Sequence, residues 1–299
     1  MQVLVYSWEW ERIDSWLVSQ TSYSRNFFHH IIERWGIQVN WNVVKKSYKL
    51  KNWDTVGIDE LERYISPVIF EDAEIVNIPI VIDEPDYLVL NKPKWVLSHP
   101  NSIWDVNKPS VVWFLYHHFR DLPSYGNFIR AGLVHRLDKD TDGLMIVAKT
   151  EKWLKHFKSL FQEKSDLLTI EEKEAVPLKK YYHAKCKILQ NWKVFLKELK
   201  EQWLPYYIDE IVKAKVPNFL PKKWITKILS MNVEGDCVFF DLQILTWRTH
   251  QIRCHLSNHG LPIISDYLYW EEVKWVPLQL SAYKLEYLDP CWKIKVVEI

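Results

Sequence analysis

Apolar and polar positions along this chain follow two different periods. Ile13, Trp16 and Leu17 stand at i, i+3 and i+4, which predicts a short first helix. Ser24-Arg25-Asn26 opens a second, from Phe27 to Trp35, with Ser24 as its N-cap and Gly36 as its stop signal. Ile37-Gln38-Val39-Asn40 then alternates. It predicts a strand that turns at Trp41-Asn42 into a second strand, Val43 to Tyr48. Residues 1–58 therefore read as a small helix-helix-hairpin module, and 59–79 as a linker with several acidic residues.

A longer mixed region covers 80–299. Ile80-Val81-Ile82 and Tyr87-Leu88-Val89-Leu90 predict a hairpin around Asp83-Glu84-Pro85-Asp86. Ser110 to Phe119 has helical spacing, Leu144 to Ala148 reads as a buried strand, and Lys152 to Glu163 as a helix. Cys237 to Leu245 alternates as a strand, and Thr249 to Asn258 reads as a helix. Such an order, without regular β-α alternation, predicts an α+β fold on a mostly antiparallel mixed sheet. Segments 164–178 and 195–223 read as insertions.

Composition narrows the function classes. No apolar run reaches the roughly 20 residues of a membrane span. The apolar stretch before Glu9 is too short for a secretory signal. A cytoplasmic protein without membrane contact is expected. Cys186, Cys237, Cys254 and Cys291 form no C-x-x-C pair, so neither a metal site nor a disulfide framework is expected. A net charge of +1 does not announce a nucleic-acid partner, so that argument must be local. From 21 to 56 there are six basic residues against two acidic ones. Arg25, Arg34, Lys45 and Lys46 within that stretch are candidate phosphate contacts, although a solvated basic face would look the same.

Three segments carry candidate chemistry. In Val134-His135-Arg136-Leu137-Asp138-Lys139-Asp140-Thr141-Asp142-Gly143-Leu144, a carboxylate sits in a polar loop directly before a buried strand. Arg136 is near enough in sequence to hold Asp138 ionised. Taken alone, a structural ion pair is the commoner use of such a tetrapeptide. In Arg248-Thr249-His250-Gln251-Ile252-Arg253-Cys254-His255-Leu256, one helix presents an apolar and a basic side. Lys180-Tyr181-Tyr182-His183-Ala184 begins a strand on which Tyr182 is either a proton acceptor, a stacking platform or a core residue.

Together, H-R-L-D-x-x-T-x-G-L, K-x-Y-x-A and R-T-H-Q-I-R-x-H-L in this order resemble the RluA-type RNA pseudouridine synthases. Asn91-Lys92-Pro93, Gly260-Leu261-Pro262-Ile263 with Asp266 and Tyr269, and Leu280-Ser281-Ala282 extend the resemblance over roughly 80–299. Val134 to Thr150 is similar to the RluD-like branch, which acts on large-subunit (23S) ribosomal RNA. The order Arg12-Ile13-Asp14, Ser24-Arg25, Ile37 to Asn40, Asn52-Trp53-Asp54 resembles an RNA-binding module first named for a ribosomal small-subunit protein.

The resemblance implies a cofactor-free isomerase that is monomeric and takes RNA as partner, ribosomal in preference to transfer RNA. It makes Asp138 the nucleophile on the sugar or the base, Arg253 its counterion and Tyr182 the group that removes the proton from the base carbon. Arg136 would fill the gap left by a flipped uridine. His135, Arg248, His250 and Gln251 would complete the substrate site. Asp142, where the family has Ser or Thr, would add a like charge near Asp138. An assembly factor that keeps the fold without turnover is disfavoured by the joint presence of Asp138, Tyr182 and Arg253. A hydrolase using Asp138 and Asp140 leaves Arg253 and Tyr182 unexplained.

One feature departs from the family. The chain has 17 Trp and only 7 Gly, where roughly 7% Gly is usual. Trp41, Trp53, Trp95, Trp247 and Trp270 stand at family glycine positions, where the largest side chain should disrupt turns and packing. The expectation is that UGA codons in this gene mean glycine and were rendered as tryptophan.

Overall fold

The structure is a computed structural model. It describes all residues except 1, 8–9, 22–24, 61–75, 101–104, 106–107, 120–121, 125–129, 190–192, 202–203, 213–221, 272, 274 and 290. Ser24, and most of the 59–79 linker, lie outside the described residues. The chain packs as two compact units: residues 1–77 with 97–133, and residues 78–96 with 134–299.

The first unit contains β1 (Gln2–Val5), α1 (Ile13–Gln20), α2 (Arg25–Glu33), β2 (Ile37–Val39), β3 (Asn42–Val43), β4 (Thr55–Ile58) and α3 (Val111–His118). Its sheet runs β1-β4-β2-β3, antiparallel throughout. The apolar stripes of the two first helices, Ile13, Leu17, Phe27, Phe28 and Ile31, are fully buried with Ile37 of β2. The second hairpin strand ends at Val43, well short of Tyr48. Lys45 to Tyr48 instead closes a turn, with the Tyr48 N–H donating to Lys45 O at 2.8 Å. The Tyr48 hydroxyl is drawn to Asp54, 3.1 Å away, and β4 takes the free edge of β2. Ser110 caps α3, accepting from the Trp113 N–H.

The second unit contains β5 (Ile80–Asp83), β6 (Tyr87–Lys92), β7 (Asp142–Ala148), α4 (Glu151–Asp166), α5 (Ile170–Ala175), β8 (Leu178–Lys187), α6 (Lys193–Glu201), β9 (Tyr206–Val212), β10 (Lys222–Glu234), β11 (Cys237–Ile244), α7 (Gln251–Asn258), β12 (Leu280–Leu288) and β13 (Ile294–Glu298). The sheet order is β5-β6-β7-β12-β8-β11-β10-β9, with β13 on β12. Only β7 and β12 run parallel among the described strands. The α+β class and the mostly antiparallel mixed sheet are thus as the sequence predicts.

On α4, Trp153, Leu154, Phe157 and Leu160 repeat at helical spacing and pack on Tyr87, Leu144, Ile146 and Tyr287 of the sheet. Burying one such side chain contributes about 1.5–3 kcal/mol. Two segments read as insertions supply α5, α6 and the edge strand β9. Gly143 has φ +118°, and a Cβ there would lie 2.2 Å from the Ala282 carbonyl oxygen. Only glycine lets β7 approach β12 this closely, and that approach fixes the strand directly after the Asp138 loop.

Candidate active site

Four elements of the second unit converge on one cleft of about 510 Å³. The loop before β7 brings His135, Arg136 and Asp138; β8 brings Lys180 and Tyr182; α4 brings Phe161; the segment entering α7 brings Trp247 to Arg253. The pairing of Lys180 with Tyr182 follows from strand geometry. Burial alternates along β8, so residues two apart face the same side.

The Asp138 loop is tied down from beneath. Lys92 is fully buried, and its amine donates to the carbonyls of Pro93, Val96 and Lys139 at 2.8–3.1 Å. Burial pushes its pKa down to about 7, against the pull of Asp142, Asp138 and Asp140. The Asp138 carbonyl accepts from the Thr141 N–H at 3.2 Å, and His135 Nε2 accepts from the Ile146 N–H at 2.9 Å. His135 thus supports the loop.

The R-T-H-Q segment is built around Gln251. Its side-chain oxygen accepts from Thr246 Oγ1 at 2.7 Å and the Arg248 N–H at 3.3 Å; its amide donates to Ile225 O and Thr226 Oγ1. Gln251 is a buried strut between α7 and β10, with all its hydrogen-bonding capacity used within the fold. His250 takes a left-handed backbone, φ 58°, at the head of α7. Burial lowers its pKa, so it stands neutral with Nε2 3.8 Å from Asp138 Oδ2 and Nδ1 3.3 Å from the Tyr269 hydroxyl.

Arg253 meets Asp138, but not as its main partner. Its Nε and Nη2 donate to Asp266 at 2.8 and 2.6 Å, a bidentate pair with a fully buried carboxylate. The remaining Nη1 lies 3.5 Å from Asp138 Oδ2. The Tyr269 ring covers the guanidinium at 5.4 Å. Burial opposes the Arg253 charge, but the Asp266 hydrogen bonds outweigh it and hold the pKa above its ordinary value. Asp138 keeps 22% of its side chain exposed. The geometry presents a carboxylate that is close to a permanent cation, open to the cleft, and still rich in free lone pairs.

Tyr182 lies in the same cleft, 5% exposed, its phenol pushed upward by burial and by Asp138. Arg136 reaches out of the loop, exposed, and donates to Thr249 Oγ1 at 2.9 Å. Arg248 lines the cleft, its Nε buried without a hydrogen-bond partner. Asp142 is drawn off by Lys94 at 3.3 Å. The Trp247 ring packs edge-on against Phe161, with the amines of Lys164 and Lys180 over it at 5.5 and 5.9 Å, and its N–H is buried without a partner.

Of the candidate phosphate contacts in the first unit, Arg25 binds Asp14 and Ser15, and Lys46 pairs with Glu33 at 3.3 Å. Lys45 is exposed, and Arg34 is half-buried. Two site groups escaped the sequence reading: Asp266, which fixes Arg253, and the buried Lys180. Asp266 had a signal, since it stands in a family motif, but its partner is set by contact across 13 residues. Among the described residues no cluster of His, Cys, Asp and Glu could hold a metal ion, and no helix is long and apolar enough to cross a membrane.

The sequence model of RNA pseudouridylate synthases matches residues 86–258. A ribosomal large subunit pseudouridine synthase D of Borreliella burgdorferi is 34% identical over 250 residues, covering 76% of this chain and 71% of its own. A ribosomal large subunit pseudouridine synthase C of Vibrio parahaemolyticus is 28% identical over 264 residues, covering 86% and 75%. Among solved structures, human RNA pseudouridylate synthase domain containing 1 matches 75% of this chain and 83% of its own with a TM-score of 0.52 at 21% identity, a likeness of fold. By sequence and by fold, this chain belongs to the RNA pseudouridine synthases, the isomerases that convert uridine to pseudouridine in RNA.

Proposed function

We propose that the chain isomerises particular uridines of large-subunit (23S) ribosomal RNA, with Asp138 as nucleophile. The names of the relatives from Borreliella and Vibrio support the RNA class. The observation that carries the residue assignment is the Arg253 Nη1 to Asp138 Oδ2 distance of 3.5 Å in an open cleft. Arg253 sets a permanent cation beside the carboxylate without occupying it. Attack divides glycosidic cleavage into two easier steps. Arg136, on the exposed lip, holds open the place of the extruded uridine. Arg248 and His250 line the path to Asp138, and Gln251 holds that segment in place. Exposed lysines of the first unit, Lys45 and Lys46 among them, supply phosphate contacts.

Pseudouridine mapping in ribosomal and transfer RNA, from cells with and without the gene, tests the substrate. Sites in large-subunit RNA should vanish without it, and an Asp138→Asn copy should not restore them. Loss confined to transfer RNA would reject the ribosomal reading. Normal modification by the Asp138→Asn protein would reject the nucleophile.

A further inference from the structure

Lys180 has no part in the roles assigned so far, yet it lies on the floor of the cleft, 3% exposed. Its amine is 3.3 Å from His135 Nδ1 and 5.5 Å from the centre of the Tyr182 ring. The other imidazole nitrogen, Nε2, already accepts from the Ile146 N–H. A neutral imidazole must then carry its proton on Nδ1, the side that faces Lys180. An ammonium there would meet an N–H; a neutral amine offers that N–H a lone pair. Asp138, on the same loop as His135, is the charge that acts on the amine; Arg248, His250 and Arg253 on the α7 side line the same cleft, and the Lys164 amine of α4 lies over the Trp247 ring that Lys180 also covers. Asp138 pulls the amine toward its charged form, but burial works harder and brings its pKa down to about 7.

Pseudouridine formation moves one proton. The N1–C1′ bond breaks and a C5–C1′ bond forms; the base then loses the C5 proton and gains one at N1, with no change of oxidation state. We propose that Lys180 is the carrier of this proton: its neutral amine takes the proton released at C5, the C–H electron pair returns to the ring, and the ammonium returns the proton to N1. The Tyr182 phenol, pushed upward by burial, is a poor base unaided, and the amine beside its ring supplies the basicity. This inference rests on the proposed role of Asp138.

The test is tritium release from C5-labelled uridine in RNA, followed against pH. In the natural protein kcat should rise as pH climbs through about 7. Lys180→Met should lower kcat about a hundredfold, leave KM unchanged and abolish that rise. Lys180→Arg, which keeps the charge and cannot give up its proton, should not rescue it. If Lys180→Met keeps the same rise, or Lys180→Arg works normally, the amine is structural and the inference is wrong. Asp138→Asn in the same assay separates the two readings: an active Asp138→Asn protein overturns the nucleophile, whereas a silent one beside an unaltered Lys180→Met profile overturns only the carrier.

A second inference rests on a different observation. Trp10, Trp35, Trp41, Trp53, Trp95, Trp275 and Trp292 all have φ between 50° and 73°. All seven are between 62% and 91% exposed. Bulky residues are outliers in this left-handed region. Trp35 follows α2, where its N–H bonds to Ile32 O and the Gly36 N–H to Ile31 O. That is a Schellman end, whose left-handed position favours glycine. Asn40 and Trp41, φ 48° and 66°, form the two-residue loop between β2 and β3, where Asn-Gly is the favoured pair. By contrast Trp16, Trp113, Trp153 and Trp224 are buried core residues. Trp247 and Trp270, expected from the family to be glycines, are not left-handed, so the backbone mark does not extend to them.

We infer that these seven positions are glycine in the natural protein, through a codon read as glycine in the cell and rendered here as tryptophan. Peptide mass spectrometry of the protein purified from its own cells should find glycine at all seven. Tryptophan there would overturn the inference. Independently, a recombinant chain with glycine at the seven positions should melt about 10 °C or more above the chain as written; an equal or lower melting point would also overturn it.

Discussion

Two carboxylates, one in each unit, show what separates a clamp from a reactive group. Asp14 in α1 is completely buried. It accepts from Arg12 at 2.8 and 3.0 Å and from Arg25 at 3.0 and 3.1 Å, and it meets His29 Nε2 at 2.7 Å. Burial would raise its pKa, but these partners together hold it well below the usual carboxylate range. Asp138 also has a guanidinium, yet at 3.5 Å and through one nitrogen only. The tight bidentate grip of Arg253 falls on Asp266 instead. Saturating every lone pair makes a carboxylate part of the scaffold. A nucleophile needs the counterion near and the lone pairs free, and a second carboxylate that anchors the guanidinium achieves both.

The largest expected effect lies on the reactive side of this contrast. Asp138→Asn should cut pseudouridine formation by at least ~10³-fold while leaving the melting temperature unchanged, because no dense hydrogen-bond set is lost. A large drop in melting temperature would mean that Asp138 is a clamp after all.

Arg253→Met should damage stability as well as turnover. It leaves Asp266 buried and unpaired, at a cost of about 3–5 kcal/mol in chemical denaturation. Adding Asp266→Leu should recover part of that loss without restoring activity. Recovery of both would show that Arg253 serves the fold alone.

Asp14→Ala should destabilise the first unit by about 2–3 kcal/mol, since its three partners are nearer the surface and regain water. Its pKa is depressed in the folded state. The stability it contributes is therefore present above the ordinary carboxylate pKa, near 4, and is lost as pH falls below it. Unfolding followed from pH 5 downward should be steep in the natural protein and flatter in Asp14→Ala. Parallel curves would remove Asp14 as the acid-sensitive clamp.

The smallest effects should ignore the contrast. Trp41→Gly in the first unit and Trp95→Gly in the second should each raise stability by about 1–2 kcal/mol, because left-handed strain is local. Opposite signs at the two sites, read from denaturation midpoints, would show that packing rather than backbone sets the effect.

Much of this was legible in order along the chain. Apolar runs marked β6 and β7, alternation marked β11, and helical spacing marked α1, α3 and α4. Lys180 to Ala184 reads as a strand start from sequence, whereas the shared cleft of Lys180 and Tyr182 is a finding of the structure. The second hairpin strand was overread because a run of Lys45, Lys46 and Ser47 says nothing about which neighbour will claim Tyr48. Gln251 was read as a substrate contact, although its hydrogen bonds to Thr246, Ile225 and Thr226 occupy it within the fold. Five tryptophans were singled out by motif position; the backbone supports three of them and adds four others.

The sequence by itself determined the family, the α+β class and the three segments that carry chemistry, because periodicity and motif order are properties of neighbours along the chain. The tertiary structure decided which carboxylate holds Arg253, which nitrogen of His135 faces Lys180, and which tryptophans sit in left-handed turns. Those depend on distances between residues far apart in sequence and on backbone angles, and no local pattern encodes them.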